Sequence, residues 1–132
     1  MHGTLVTIGR ILLGLFFLVL GLAKLKGVMD AGGVTQLAGY IGSRGLPQPQ
    51  ILAVATIAFE VLGGLALIFG FLTTPIAFAM AAFCLATAMF FHNFWSFPAE
   101  QFLAQFQNFM KNIGLAGAYL VLAGDNIRAR NA

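Results

Sequence analysis

Apolar residues occupy most of the chain, and the few polar ones fall at intervals that divide it into helix-length runs. From Thr4 to Ala23 the one charged residue is Arg10, and Lys24 and Lys26 follow at the far end. From Ile51 to Phe71 the apolar run is broken by Glu60, close to its middle. Pro75 to Phe91 carries no charge. A bilayer core of ~30 Å is crossed by about 20 residues of helix, so these runs predict spans over 4–23, 51–71 and 75–91. A fourth is expected over 101–123, with two unlike halves. Gln101, Gln105, Asn108 and Asn112 form a polar stripe and Phe102, Phe106, Phe109 and Ile113 an apolar one, whereas Ile113 to Ala123 is apolar throughout. Between the first two spans, Val34, Leu37, Ala38 and Ile41 recur at helical spacing before Gly42, which predicts a short amphipathic helix over 33–42 on the membrane surface.

Small residues mark the packing faces. Arg10, Gly14, Gly21 and Lys24 share one side of the first span, Ala53, Thr56, Glu60, Gly63 and Gly64 one side of the second, and Ala77, Ala81, Cys84 and Ala88 one side of the third. Small side chains let membrane helices approach closely, so these faces are expected to look inward. Gly70 to Thr74 reads as a tight turn, with Pro75 suited to the first turn of the next helix. Trp95 and its phenylalanine neighbours read as an interfacial aromatic belt.

Composition supports the same class. Of 132 residues, 60% are hydrophobic and 8% charged, whereas charged residues make up roughly a quarter of a soluble domain. The expected fold is all-α, one integral membrane domain over 1–132 built as a four-helix bundle with the interfacial helix between spans one and two. The seven basic residues sit mostly at the edges of apolar runs, which suits membrane topology and lipid head groups. No basic cluster with interleaved aromatics suggests nucleic-acid binding. The first run mimics a secretory signal in its basic, apolar and small residues, but it reads more simply as the first span. Cys84 is the lone cysteine, so an intrachain disulfide, a Cys-x-x-Cys redox pair and a cysteine zinc site are excluded. With His2 and His92 alone, one chain is poorly equipped to ligate a haem. No metal is expected, and no cofactor is held by the chain itself.

The candidate site follows from Glu60. A carboxylate at mid-membrane is costly and turns toward a cation or takes up a proton. Arg10 lies roughly 9 Å in from its side and Glu60 roughly 15 Å at ~1.5 Å per residue, an offset that an arginine can bridge. Lys111 comes to similar depth if the last helix is unbroken, and His92 lies nearer the opposite interface. Arg10, Glu60, His92 and Lys111 are therefore the candidate polar cavity for a quinone head group, an anion or a proton. The bland alternative is that Arg10 and Glu60 neutralise each other and fix helix register. No catalytic residue is assigned, and whether the chain is an enzyme stays open.

Several stretches together resemble the DoxX family of small four-span membrane proteins. They are Gly9-Arg10 and Gly21-Leu22-Ala23-Lys24-Leu25 around span one, Gly45-Leu46-Pro47 before span two, and Glu60-Val61-Leu62-Gly63-Gly64 within it. Gly70-Phe71-Leu72-Thr73-Thr74, Phe91-His92-Asn93-Phe94-Trp95 and Lys111-Asn112-Ile113 complete the set. Related DoxD-type proteins are subunits of a thiosulfate:quinone oxidoreductase. The resemblance thus implies an accessory or subunit of a quinone-linked redox system, with a bound quinone or lipid and with redox or sulfur-metabolism partners. Arg10, Glu60, His92 and Lys111 match family polar positions.

The expected location is the bacterial cytoplasmic membrane. Both termini are expected on the cytoplasmic side, although Arg10, Arg128 and Arg130 nearly balance Lys24, Lys26 and Arg44. A homo-oligomer is compatible with the chain. The alternative functions are a small transporter or lipid- and ion-handling protein using the buried charges, and a structural membrane scaffold.

Overall fold

The computed structural model describes residues 1–132, which form helices and no strands. Five α-helices follow in order: α1 (His2–Asp30), α2 (Thr35–Ser43), α3 (Pro49–Phe69), α4 (Thr73–Phe91) and α5 (Phe102–Asn131). Short 3-10 turns at Phe94–Ser96 and Ala99–Gln101 join the last two. The helices His2–Asp30 and Pro49–Phe69 and the stretch Thr73–Ser96 are each long and apolar enough to cross a membrane. The chain divides into two compact units, Met1–Phe71 and Leu72–Ala132.

In the first unit, α1 is longer than the expected 4–23. No proline interrupts it, and Lys24, Lys26 and Gly27 are absorbed before Gly32 and Gly33, at φ +75° and +156°, turn the chain. The Gly33 N–H donates back to the Val28 carbonyl at 2.9 Å. α3 starts with Pro49 in its first turn, where a missing N–H costs nothing. It ends at Gly70, whose φ of +75° gives the left-handed residue that lets the Phe71 N–H reach the Ala66 carbonyl at 2.8 Å. The turn therefore closes two residues earlier than Phe71, and α4 begins at Thr73 rather than Pro75. α2 buries Ala38 and Ile41 against this unit.

α1 and α3 run antiparallel, since Gly14 meets Gly64 while the later Gly21 meets the earlier Val61. Their approach is set by glycine. A Cβ on Gly64 would lie 2.7 Å from both the Gly14 carbonyl oxygen and the Leu18 nitrogen. One on Gly14 would lie 2.7 Å from the Gly64 carbonyl oxygen. Backbone meets backbone here, which is the close packing that small residues permit in membranes. Leu5, Ile8, Leu12, Val19, Val54 and Leu62 stay exposed on the outer faces, as suits contact with hydrocarbon.

In the second unit, α4 buries Ala77, Met80, Ala81, Cys84 and Ala88 and pairs with Ala116, Tyr119, Leu122 and Ala123 of α5. The small-residue stripe read from spacing is thus the packing face. α5 continues unbroken from its polar half through its apolar half and on to Asn131, past the expected end at Ala123. Arg128 and Arg130 occupy its last turn, where positive charge suits the helix dipole. Phe94 anchors the connection, standing edge-on to Trp95, Phe102, Phe106 and Phe109 with ring centroids 5.1–5.5 Å apart.

Candidate functional site

Glu60 is 2% exposed, at the middle of α3 and on the face that packs against α1. The glycine at position 21 makes room for it, since a Cβ there would come within 2.9 Å of the Glu60 Cβ. One turn further along α1, Lys24 Nζ donates to both carboxylate oxygens, at 2.7 and 2.8 Å. Glu60 is therefore answered by Lys24 and not by Arg10. The expected Arg10–Glu60 pair is replaced because α1 runs on past Ala23 and packs on α3 in a register that sets Gly21 and Lys24, and not Arg10, beside Glu60.

Arg10 instead donates through Nη1 to the Leu67 carbonyl and, at 2.8 Å, to that of Ile68. These are among the last carbonyls of α3, which have no partner within the helix. Arg10 also covers the turn, because its guanidinium lies 3.1 Å from where a Cβ on Gly70 would stand. Both charged groups of α1 that face α3 are thereby spent on it, one on a side chain and one on a helix end.

The remaining candidates belong to the second unit. His92, at the end of α4, is within 2.8 Å of Gln105 Oε1 through Nδ1, which joins it to the polar stripe of α5. In that stripe Asn112 donates to the Asn108 carbonyl at 3.0 Å. Lys111 is exposed and lines a shallow recess made by α5 residues alone, Phe106, Gln107, Met110 and Lys111. Arg10, Glu60 and His92 thus each have a different partner, and Lys111 borders its own recess. No group of three or more His, Cys, Asp or Glu side chains comes together.

One residue that sequence reading placed at the interface lines a cleft between α1 and α2. Lys24, Gly27 and Val28 of α1 face Gln36, Leu37 and Tyr40 of α2 across a cleft of about 230 Å3. Two periodicities build it. Positions 24, 27 and 28 fall on one side of α1, and positions 36, 37 and 40 on one side of α2, next to the side that buries Ala38 and Ile41. The Lys24 side chain is 35% exposed, so it reaches the cleft while its ammonium holds a carboxylate that is almost wholly buried. A lysine ammonium has three N–H donors. Two are spent on Glu60, and the third is outside that pair.

The signal for this arrangement was present in the spacing. Lys24 follows Gly21 by three residues on the face that packs against α3.

Comparison with known proteins gives a consistent result. The DoxX family model matches residues 5–93, from α1 through the end of α4. The inner membrane protein YphA of Escherichia coli (strain K12) is 33% identical over 119 residues, covering 90% of this chain and 81% of the relative. The inner membrane protein YqjF of the same organism is 34% identical over 118 residues, with 89% and 81% covered. No solved structure matches the chain. An all-helical chain with three apolar helices of membrane-crossing length and this match over more than half its length belongs to the DoxX family of integral membrane proteins.

Proposed function

We propose that this protein is an inner-membrane accessory or subunit of a quinone-linked redox system, and that it holds the head group of a quinone or similar amphiphile in the cleft between α1 and α2. The observation that carries this reading is the placement of Lys24, which is fixed by Glu60 and borders the cleft. A cation already paired is less costly to keep in an apolar setting than a lone one, and its third donor suits a carbonyl or hydroxyl oxygen. Gln36 and Tyr40 add polar groups on the opposite wall, beside Val28 and Leu37.

Size and surroundings fit a head group better than a whole ligand. Pockets for drug-sized molecules run to about 300–1,000 Å3, and this cleft is smaller. An acyl or prenyl tail would lie outside it, along the exposed apolar residues Leu22, Leu25 and Met29 of α1. The chain's role is binding and presentation, with electrons passing through a partner. The inner-membrane location follows the two Escherichia coli relatives, and α5, about 45 Å long at ~1.5 Å per residue, supplies the fourth crossing.

The test is native mass spectrometry with lipid extraction on protein purified in a mild maltoside. Wild type should retain quinone, and Lys24→Gln with Glu60→Gln, which removes both charges together, should bind added short-chain quinone about tenfold more weakly or worse. Equal quinone retention by both proteins, or none by either at equal stability, would make the pair purely structural.

A further inference from the structure

The Lys24–Glu60 pair stands between two environments, and this placement has a chemical consequence. Glu60 has Lys24 as its ion-pair partner through both carboxylate oxygens and is almost fully buried, whereas Lys24 is one-third exposed and lines the cleft. From this geometry we infer that the cleft takes an anionic head group and that binding it is coupled to uptake of one proton by Glu60. This rests on the cleft being the binding site proposed above.

The chemistry runs as an exchange of partners. An anion entering between α1 and α2 meets the Lys24 ammonium, which can turn from Glu60 toward it by rotating about the bonds of its own flexible stem. The carboxylate left behind has no other cation bonded to it. Arg10 is tied to the carbonyls of Leu67 and Ile68, two turns further along α3. Lys26 pairs with Asp30 at 2.6 Å on the exposed side of α1. His2 is at the opposite end of α1, and α2 brings Tyr40, with Arg44 just beyond its end. A buried carboxylate without a cation is the state that proteins avoid by protonation. One proton is gained from water, Glu60 becomes a neutral acid, and Lys24 keeps its charge for the anion. No bond besides this O–H is made or broken.

Linkage makes the effect reciprocal. If binding the anion takes up a proton, lowering the pH must tighten the anion by the same coupling. With one proton involved, affinity falls by up to about tenfold for each pH unit of increase. A ligand whose own charge does not titrate reads this directly. Decanesulfonate is such a probe, and inorganic sulfate tests the anion without a tail.

The experiment adds decanesulfonate below its micellar concentration to the full chain in a neutral maltoside, at lightly buffered pH 6 to 8. Binding is followed by calorimetry and protons by a pH indicator. Wild type should take up about one proton per probe bound and should bind more weakly as pH rises. Glu60→Gln, which frees Lys24 without leaving a charge, should bind at least as tightly with no proton uptake and no pH dependence. Lys24→Gln with Glu60→Gln keeps the core neutral and should bind neither probe. Sulfate binding as tight as that of decanesulfonate would retain the coupling and assign the site to the anion alone.

Binding by wild type without proton uptake, or proton uptake that persists in Glu60→Gln, overturns the coupling while leaving the cleft as a site. Absence of probe binding and quinone binding alike in wild type overturns the cleft itself.

Discussion

The two units of this protein pack the same kind of helix pair with opposite chemistry. In the first, α1 and α3 meet backbone to backbone at Gly14 and Gly64, and the polar links on either side of that contact are charged: Arg10 to the end of α3, and Lys24 to Glu60. In the second, α4 and α5 meet through alanines, Met80, Cys84 and Tyr119, and the links at the two ends are neutral: Asn126 to Thr74 at 2.7 Å, and His92 with Gln105 at 2.8 Å. Packing against hydrocarbon needs shape and hydrogen bonds but no charge. The second unit joins its helix pair at both ends without an ion pair. The ion pair of the first unit is then more than packing requires, which is the physical ground for reading it as a site.

The sharpest break of this comparison is Lys24→Met. It leaves Glu60 buried without a cation, and breaking a buried pair in this way costs about 3–5 kcal/mol. Unfolding of the first unit, followed by denaturant titration in detergent or bicelles, should show a loss of that order. Adding Glu60→Gln to the same chain should restore most of it, because replacing both members of a buried pair is often neutral or stabilising. If the double variant is instead less stable than Lys24→Met alone, the pair contributes to stability by itself and its link to the cleft loses this support.

How much of this was legible in the sequence depends on which interaction decided each position. The packing faces were, because period and residue size alone place Gly14, Gly21, Gly63, Gly64, Ala77, Ala81, Cys84 and Ala88, all of them small. Glu60 was also placed correctly on an inward face. Its partner was not, for a physical reason. Ending the first helix at Ala23 makes Lys24 a terminal residue whose long side chain escapes to the interface, whereas α1 in fact continues to Asp30 and keeps Lys24 inside a helix that packs on α3. Spacing gives the face of a residue but not the register between two helices. Arg10 shows the same limit, since a helix end capped by Gly70 in the left-handed conformation offers carbonyls that no side-chain pattern reveals. The cleft needed α2 in place, and so could not be drawn from α1 alone.

A second, smaller test compares glycines. Gly64→Ala puts a methyl group against the Gly14 carbonyl and the Leu18 nitrogen, both backbone atoms that cannot turn aside. Overpacking of this kind costs about 1–3 kcal/mol. Gly117→Ala in α5 meets nothing within 4 Å, and a glycine within a helix is less favourable than alanine by about 0.5–1 kcal/mol, so this variant should match or exceed wild type in the same unfolding measurement. Equal losses at both positions would mean that α1 and α3 are not held at glycine distance.

The smallest effect is expected at the neutral link of the second unit. Asn126→Ala removes the amide that donates to Thr74 Oγ1, joining the late part of α5 to the first turn of α4. A neutral hydrogen bond contributes about 0.5–1.5 kcal/mol, and Thr74 is left with a hydroxyl that can rotate toward another acceptor. The loss should therefore be a fraction of that seen for Lys24→Met, and it should be confined to the second unit when amide hydrogen exchange is followed along α4 and α5. A loss as large as that of Lys24→Met would show that the neutral link carries as much as the ionic one. The contrast between the units would then be one of residue type without a difference in energy, and the surplus charge of the first unit would no longer point to function.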